Sequence, residues 1–302
     1  MPQPGACLAG TGAGTTSGKM VLHRWVDAEG IIHFSDKAPV GANTGHRRIE
    51  VGGLPGVQVS ARGHDINLPE HFQQHAVADA QAIERVFESE LGISRAGGIA
   101  LQVVYVASAE HYKKLLGDPA LASSSGAYSG RERTIYVRAQ PTPAANSAIL
   151  RHEMSHALVH ERIGNLPVAI NEGLAGFFER LQPAAMGAQI SFAPDRAALI
   201  SAQPGDQAED ALVDLLAREG SQFYAEKRET RYLHAYALVA LLMGDGAGRA
   251  ALARVLAAQQ ASPCEPANVA EILDQQYPQG LRGLARQWAR WLTDPPNAVL
   301  AF

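Results

Sequence analysis

Cysteine is scarce in this chain. Among 302 residues only Cys7 and Cys264 occur, which excludes a thiolate zinc cluster and a disulfide-dense scaffold. The two could pair, but they lie far apart in sequence with Cys7 in the leader, and both read as incidental. An excess of one charge is missing too: 26 Lys plus Arg stand against 30 Asp plus Glu, a formal net charge of −4. A chain so balanced carries no electrostatic footprint for nucleic acid or an anionic membrane. No apolar run approaches the ~20 residues of a membrane-spanning helix. Residues 1–19, rich in Gly, Thr, Ala and Pro, lack the basic and apolar regions of a signal peptide and read as a flexible leader. Apolar residues, by contrast, are plentiful. They make up 46% of the chain against 19% charged, enough for a packed core in one large or two modest domains.

The order of patterns suggests three parts. After the leader, residues 20–60 read as a small β-rich module with a linker, and residues 61–302 as the main domain. In the module Val21, His23 and Trp25 alternate, Asp27-Ala28-Glu29-Gly30 supplies a turn, and Ile31, Ile32 and Phe34 follow. That spacing predicts a β-hairpin. The stretch Gly41–Gly63, rich in Gly and Arg, reads as irregular linker. Helical periodicity over 69–91 ends at Gly92. Residues 99–106 predict a strand, 108–116 a short helix and 126–137 a hairpin. Helices are expected at about 143–163, 168–181, 207–219, 231–243, 248–260 and 268–292. A small sheet followed by a helical half is an α+β layout.

The chemistry concentrates in His152-Glu153-Met154-Ser155-His156. Residues four apart share one helix face, about 6 Å apart along the axis. Two imidazoles so placed can share one zinc at roughly 2.1 Å. Glu153 follows the first ligand, where its carboxylate reaches the attacking water rather than the metal. Pro143 after Thr142 starts the helix well, and Gly164 and Pro167 end it. Leu150, Met154, Ala157 and Leu158 form an apolar stripe, so the histidines project from the other side.

Catalytic zinc commonly takes three protein ligands and keeps one position open. His160 continues the series but lies about 12 Å from His152 along the helix, too far for one ion. Glu172, in Asn171-Glu-Gly-Leu-Ala175, suits the third place. Fifteen residues separate it from His156, enough to close one helix and bring a second alongside. Gly173, Ala175 and Gly176 are small and suit close approach of those two helices.

His-Glu-Met-Ser-His followed by Asn-Glu-Gly-Leu-Ala resembles the gluzincin zinc peptidases, the peptidase MA-like group that includes aminopeptidase-N-like enzymes. The resemblance implies a thermolysin-like catalytic domain. It implies one zinc held by His152, His156 and Glu172, with Glu153 as general base. It further implies that Tyr232, in Arg231-Tyr-Leu-His-Ala-Tyr236, donates to the oxyanion, with Tyr236 one turn on. His234 beside them reads as a satisfied buried histidine. Two departures stand out. The Gly-x-Met-Glu-Asn amine anchor of aminopeptidases is absent, with Gly126-Ala-Tyr-Ser-Gly130 in the comparable stretch, which favours an endopeptidase. Position 176 is Gly where some gluzincins carry a supporting Asp, and Glu179 is a substitute for it.

Separately, Trp25-Val-Asp-x-x-Gly-x-x-His-Phe-Ser-Asp36 resembles a small domain of unknown function found at the N-terminus of exported Gram-negative proteins, which implies a periplasmic or secreted location. The expected partner is a peptide or protein substrate. The alternative is a catalytically weak or inactive peptidase-fold binding protein of the cell envelope, against which the intact Glu153 stands.

Overall fold

Alternation of apolar and polar residues builds the first strands. A computed structural model describes residues 19–26, 32–35, 46–52, 56–94, 97–117, 124–184, 187–192, 196–296 and 298–302. Lys19–Val26 (β1) pairs antiparallel with Ile32–Ser35 (β2), Val26 opposite Ile32, so the expected hairpin is present. Arg47–Gly52 (β3) pairs along the other edge of β1. Gly41–Gly63 is therefore not simply a linker. Its second strand, Val57–His64 (β4), belongs to a different sheet. Val57 and Val59 are buried while Gln58 and Ser60 face out, a period-two pattern that the surrounding glycines and arginines obscured. The domain boundary drawn after residue 60 cuts through β4 and belongs before Val57.

The main sheet runs β4-β5-β7-β6. Helix Phe72–Leu91 (α1) ends at Gly92, whose φ of 67° is the left-handed cap expected of glycine. Ile99–Val106 (β5) lies parallel to β4 and is the apolar centre of the sheet. Ala109–Leu116 (α2) is capped by Ser108, whose hydroxyl accepts from the His111 amide. Gly126–Ser129 (β6) and Thr134–Arg138 (β7) form the expected hairpin, with β7 parallel to β5 and β6 the antiparallel edge. This gives an α+β architecture: a mixed four-stranded sheet and a mostly helical remainder.

Pro143–Arg162 (α3) starts as expected, with the Thr142 hydroxyl accepting from the Ala145 amide at 3.2 Å. Val168–Phe178 (α4) follows within a few residues. The connection is clamped from far along the chain. The Asn165 amide donates to the Pro263 carbonyl at 2.9 Å, and Gln260 Nε2 donates to the Arg162 carbonyl at 2.9 Å. Gly164, at φ 108°, lies so close to Pro263 that a Cβ would sit 2.6 Å from its carbonyl oxygen. The neighbouring Cys264 is disulfide-bonded, so it is not incidental; Cys7 lies outside the described residues.

After α4 come Leu181–Ala184 (β8), Gly187–Ser191 (β9), Arg196–Ser201 (α5), Ala208–Ala217 (α6), Gly220–Phe223 (α7), Arg228–Gly244 (α8), Gly246–Ala261 (α9), Val269–Gln276 (α10), Gly280–Thr293 (α11) and Val299–Ala301 (β10). Two of the expected helices are cut short. The helix predicted to reach 181 stops at Phe178, because Leu181 opens a second sheet ordered β10-β9-β8. The helix predicted over 268–292 breaks where Pro278 has no amide to donate and Gln279 turns left-handed at φ 65°. No single described helix is long and apolar enough to cross a membrane.

The small residues of α4 serve a different neighbour from the one expected. A Cβ on Gly173 would lie 2.5 Å from the Ala235 carbonyl oxygen and 2.5 Å from Val239 Cγ2, both on α8. Gly176 faces Tyr236 of the same helix. These glycines seat α4 on α8, not on α3. Gly173→Ala must push backbone against backbone, and overpacking of that kind costs about 1–3 kcal/mol. A lowered midpoint in denaturant titration is the expected result; an unchanged midpoint would show that the two helices separate freely.

Candidate metal centre

The apolar stripe of α3 sets its orientation. Leu150, Met154, Ala157 and Leu158 are buried, as the pattern predicts, and Ser155 is buried with them. His152 and His156 then share the opposite face, their ring centroids 4.9 Å apart and nearly perpendicular. α4 brings Glu172 between them. Its Oε2 lies 3.4 Å from His152 Nε2 and 3.5 Å from His156 Nε2. One ligand atom from each residue lies within 4.8 Å of the others. His152, His156 and Glu172 therefore form a group that could hold a metal ion, as their spacing predicts.

Each donor is aimed by a neighbour. His156 Nδ1–H donates to Asn171 Oδ1 at 3.0 Å, and His152 Nδ1 faces Glu179 Oε2 at 3.5 Å. Fixing the Nδ1 side turns each Nε2 toward Glu172, the support that metal-binding imidazoles commonly receive. Glu179 thus stands beside His152 in the supporting place proposed for it. Arg151 reinforces this end by donating to the Glu179 carbonyl. The Tyr224 hydroxyl donates to Glu172 Oε1 at 2.5 Å. Oε2 is buried and has no hydrogen-bond partner. A carboxylate oxygen only 4% accessible at residue level would be costly to leave unsatisfied. Its charge is balanced either by protons on the two facing imidazoles or by a cation that the three residues would hold, and two imidazoles with one carboxylate are a donor set that fits a metal.

Glu153 stays out of this trio. It is buried at 7% exposure and lies against β6, where a Cβ on Gly126 would come 2.7 Å from its Oε1. Burial raises its pKa above the ordinary carboxylate value, with the charges of His152 and His156 opposing. Gly126 is therefore needed for close approach, not for turn geometry.

Tyr232 packs on Phe223 and Tyr224, ring centroids 5.6 and 6.4 Å away. Burial raises its hydroxyl pKa, and the charges of Glu172 and Glu153 raise it further, so it lies in the field of both carboxylates. Tyr236 lies elsewhere, packed edge-to-face against Trp291 with the Arg180 guanidinium 4.0 Å above its ring. His234 is satisfied as expected, donating to the Ala202 carbonyl and packing on Trp288. His160 stands apart beside Tyr128 and Glu161. Tyr224 is the site residue that sequence reasoning missed. It follows the four-residue helix α7, and no motif marks it. No family model matches this chain, and a search of curated proteins returns no match.

The charges of the trio are coupled. Burial pushes the Glu172 pKa up, but the neighbouring His156 and His152 outweigh burial and hold it well below the usual carboxylate range. Burial pushes His152 down, but the neighbouring carboxylates of Glu172 and Glu179 win and raise it to about 10. His156 is raised as well, Glu172 overcoming burial. Without an ion, His152 holds its proton at neutral pH, and a metal must displace it. Metal uptake at pH 7 is therefore expected to release protons, and apparent affinity to rise with pH, about tenfold per unit for each proton displaced. Calorimetry in buffers of different ionisation enthalpy measures the release. Uptake with no proton release would contradict this electrostatic picture.

Proposed function

We propose that this chain is a zinc-dependent peptidase of the gluzincin type, acting within a chain rather than at its end. The observation that carries the proposal is the buried Glu172 Oε2 facing two imidazole nitrogens, with Glu153 beside the trio and outside it. His152, His156 and Glu172 would hold the ion. Zinc bound there supplies Lewis acidity and lowers the pKa of a water to around 7.

The chain's own groups do the rest. Glu153 accepts the proton of the attacking water and passes it to the departing amine nitrogen. Tyr232 donates a hydrogen bond to the oxyanion as charge develops there. Asn171 and Glu179 keep the imidazoles in register. β6, with β7 on one side, is the terminal strand of its sheet, so its other edge offers backbone groups to an extended peptide. The contact between Glu153 and Gly126 would keep such a peptide near the base. The resemblance of residues 25–36 to a module of exported proteins supports a periplasmic or secreted setting.

Metal analysis of the purified protein with cleavage of a peptide library tests the reading. One tightly held zinc per chain, internal cleavage, loss of activity on chelation and recovery with zinc are expected. A folded protein that stays metal-free in zinc would overturn it. A zinc-loaded protein that cleaves nothing in the library would support the binding-protein alternative.

A further inference from the structure

A second group of metal-ligating side chains lies outside this site. We propose that His64, Asp65 and His111 form a surface site for a borderline transition-metal ion such as Zn²⁺ or Cu²⁺. His111 Nδ1 lies 2.8 Å from Asp65 Oδ2, and His64 Nε2 lies 4.0 Å from the same oxygen. The two rings are 5.2 Å apart at 48°. Ligand atoms from the three residues all lie within 4.8 Å of one another, so small rotations of half-exposed side chains bring them onto one ion. Two imidazoles with one carboxylate suit zinc and copper better than magnesium or calcium, which prefer all-oxygen sets.

The backbone holds the three together. His64 closes β4, and its carbonyl accepts from the Ala107 amide at 3.2 Å, tying the end of β4 to the chain that enters α2. His111 is the third residue of α2, and its amide is fixed by the Ser108 cap at 3.2 Å. Asp65 sits at φ 56°, a left-handed conformation uncommon outside glycine. The turn that holds it there is tight, because a Cβ on Gly63 would collide with the Ile66 carbonyl. Asp65 thus points at His111 from a constrained backbone, which lowers the ordering cost of binding. The site is open to solvent, and an ion in it would join the end of β4 to the first turn of α2.

The test is zinc titration of the full chain, with copper electron paramagnetic resonance to count imidazole nitrogens. The wild type is expected to take up a second, weaker zinc after the tight one. His111→Ala should weaken only the second event, by about tenfold or more, since even supporting residues of metal sites are worth that much. Asp65→Asn keeps a residue tolerant of the left-handed backbone and should weaken the same event. His75→Ala, on α1, should change neither. His156→Ala should lose the tight zinc and keep the weaker one, which separates this proposal from the one above. Loss of all zinc uptake in His156→Ala, or a weaker event unchanged in His111→Ala and Asp65→Asn, would overturn it.

Discussion

Replacing Glu153 by Gln should cut kcat by about a hundredfold to ten-thousandfold, the worth of a positioned general base, and leave the tight zinc in place. The substitution preserves volume, which matters where Gly126 already leaves no spare space. It removes the capacity to accept a proton, and it touches none of the three ligand atoms that converge on one point. Burial makes Glu153 a stronger base than an exposed carboxylate, which suits proton abstraction near neutrality. Its protonation as pH falls should shut activity off, with the midpoint above that of an ordinary glutamate. Parallel metal analysis and kinetics decide the matter. Zinc lost with activity would make Glu153 a ligand, and zinc retained with full activity would place the base elsewhere.

Tyr232→Phe is the second large effect, and the geometry defines its controls. Two phenols stand near the trio, and they are differently engaged. The Tyr224 hydroxyl is committed to Glu172 Oε1, while the Tyr232 hydroxyl makes no hydrogen bond recorded among the described residues and lies in the field of Glu172 and Glu153. A donor that acts only on the transition state affects kcat and kcat/KM alike. Removing one such donor costs about 2.7–4 kcal/mol, a hundredfold or more in kcat. Tyr232→Phe should show that loss with KM and zinc content nearly unchanged. Tyr224→Phe should instead weaken zinc binding, by about ten- to a hundredfold, with kcat recovered at saturating zinc. Tyr236→Phe should do neither, because its ring is packed against Trp291 and Arg180. Exchange of the first two phenotypes would mean that Tyr224 turns from Glu172 to the oxyanion. Silence in all three would remove a phenol from the chemistry.

The part of the site that could be read from sequence is the part governed by local geometry. His152 and His156 meet because residues four apart on a helix must, and Glu172 follows after one turn of chain. Glu179 came from the resemblance, as a substitute for the Asp missing at position 176, and it stands beside His152. Tyr224 was not, since its approach to Glu172 depends on how the α7 region folds back over α4, and no periodicity encodes that. The sheet shows the same division. β5 announced itself as an apolar run interrupted only by Gln102, whereas β4 was hidden among glycines and arginines and is stabilised by its parallel neighbour. β8 to β10 join segments separated by most of the helical half. The break at Pro278 was legible and was overridden by the apolar pattern on either side.

The clamp on the turn between α3 and α4 bears on how the protein is made. All three ligands lie close together in sequence, so during synthesis they leave the ribosome long before Pro263 and Gln260, which hold that turn. A nascent chain of that length has two imidazoles on a forming helix and an unanchored glutamate. Domains commonly fold as units while still being synthesised, and here the ligand geometry waits for the later helices. Metal captured at the nascent stage would meet a loose pair of histidines rather than a finished site. If the trio holds an ion as proposed, loading would follow folding, and a chain stalled before residue 260 would carry His152, His156 and Glu172 without the clamp on their turn.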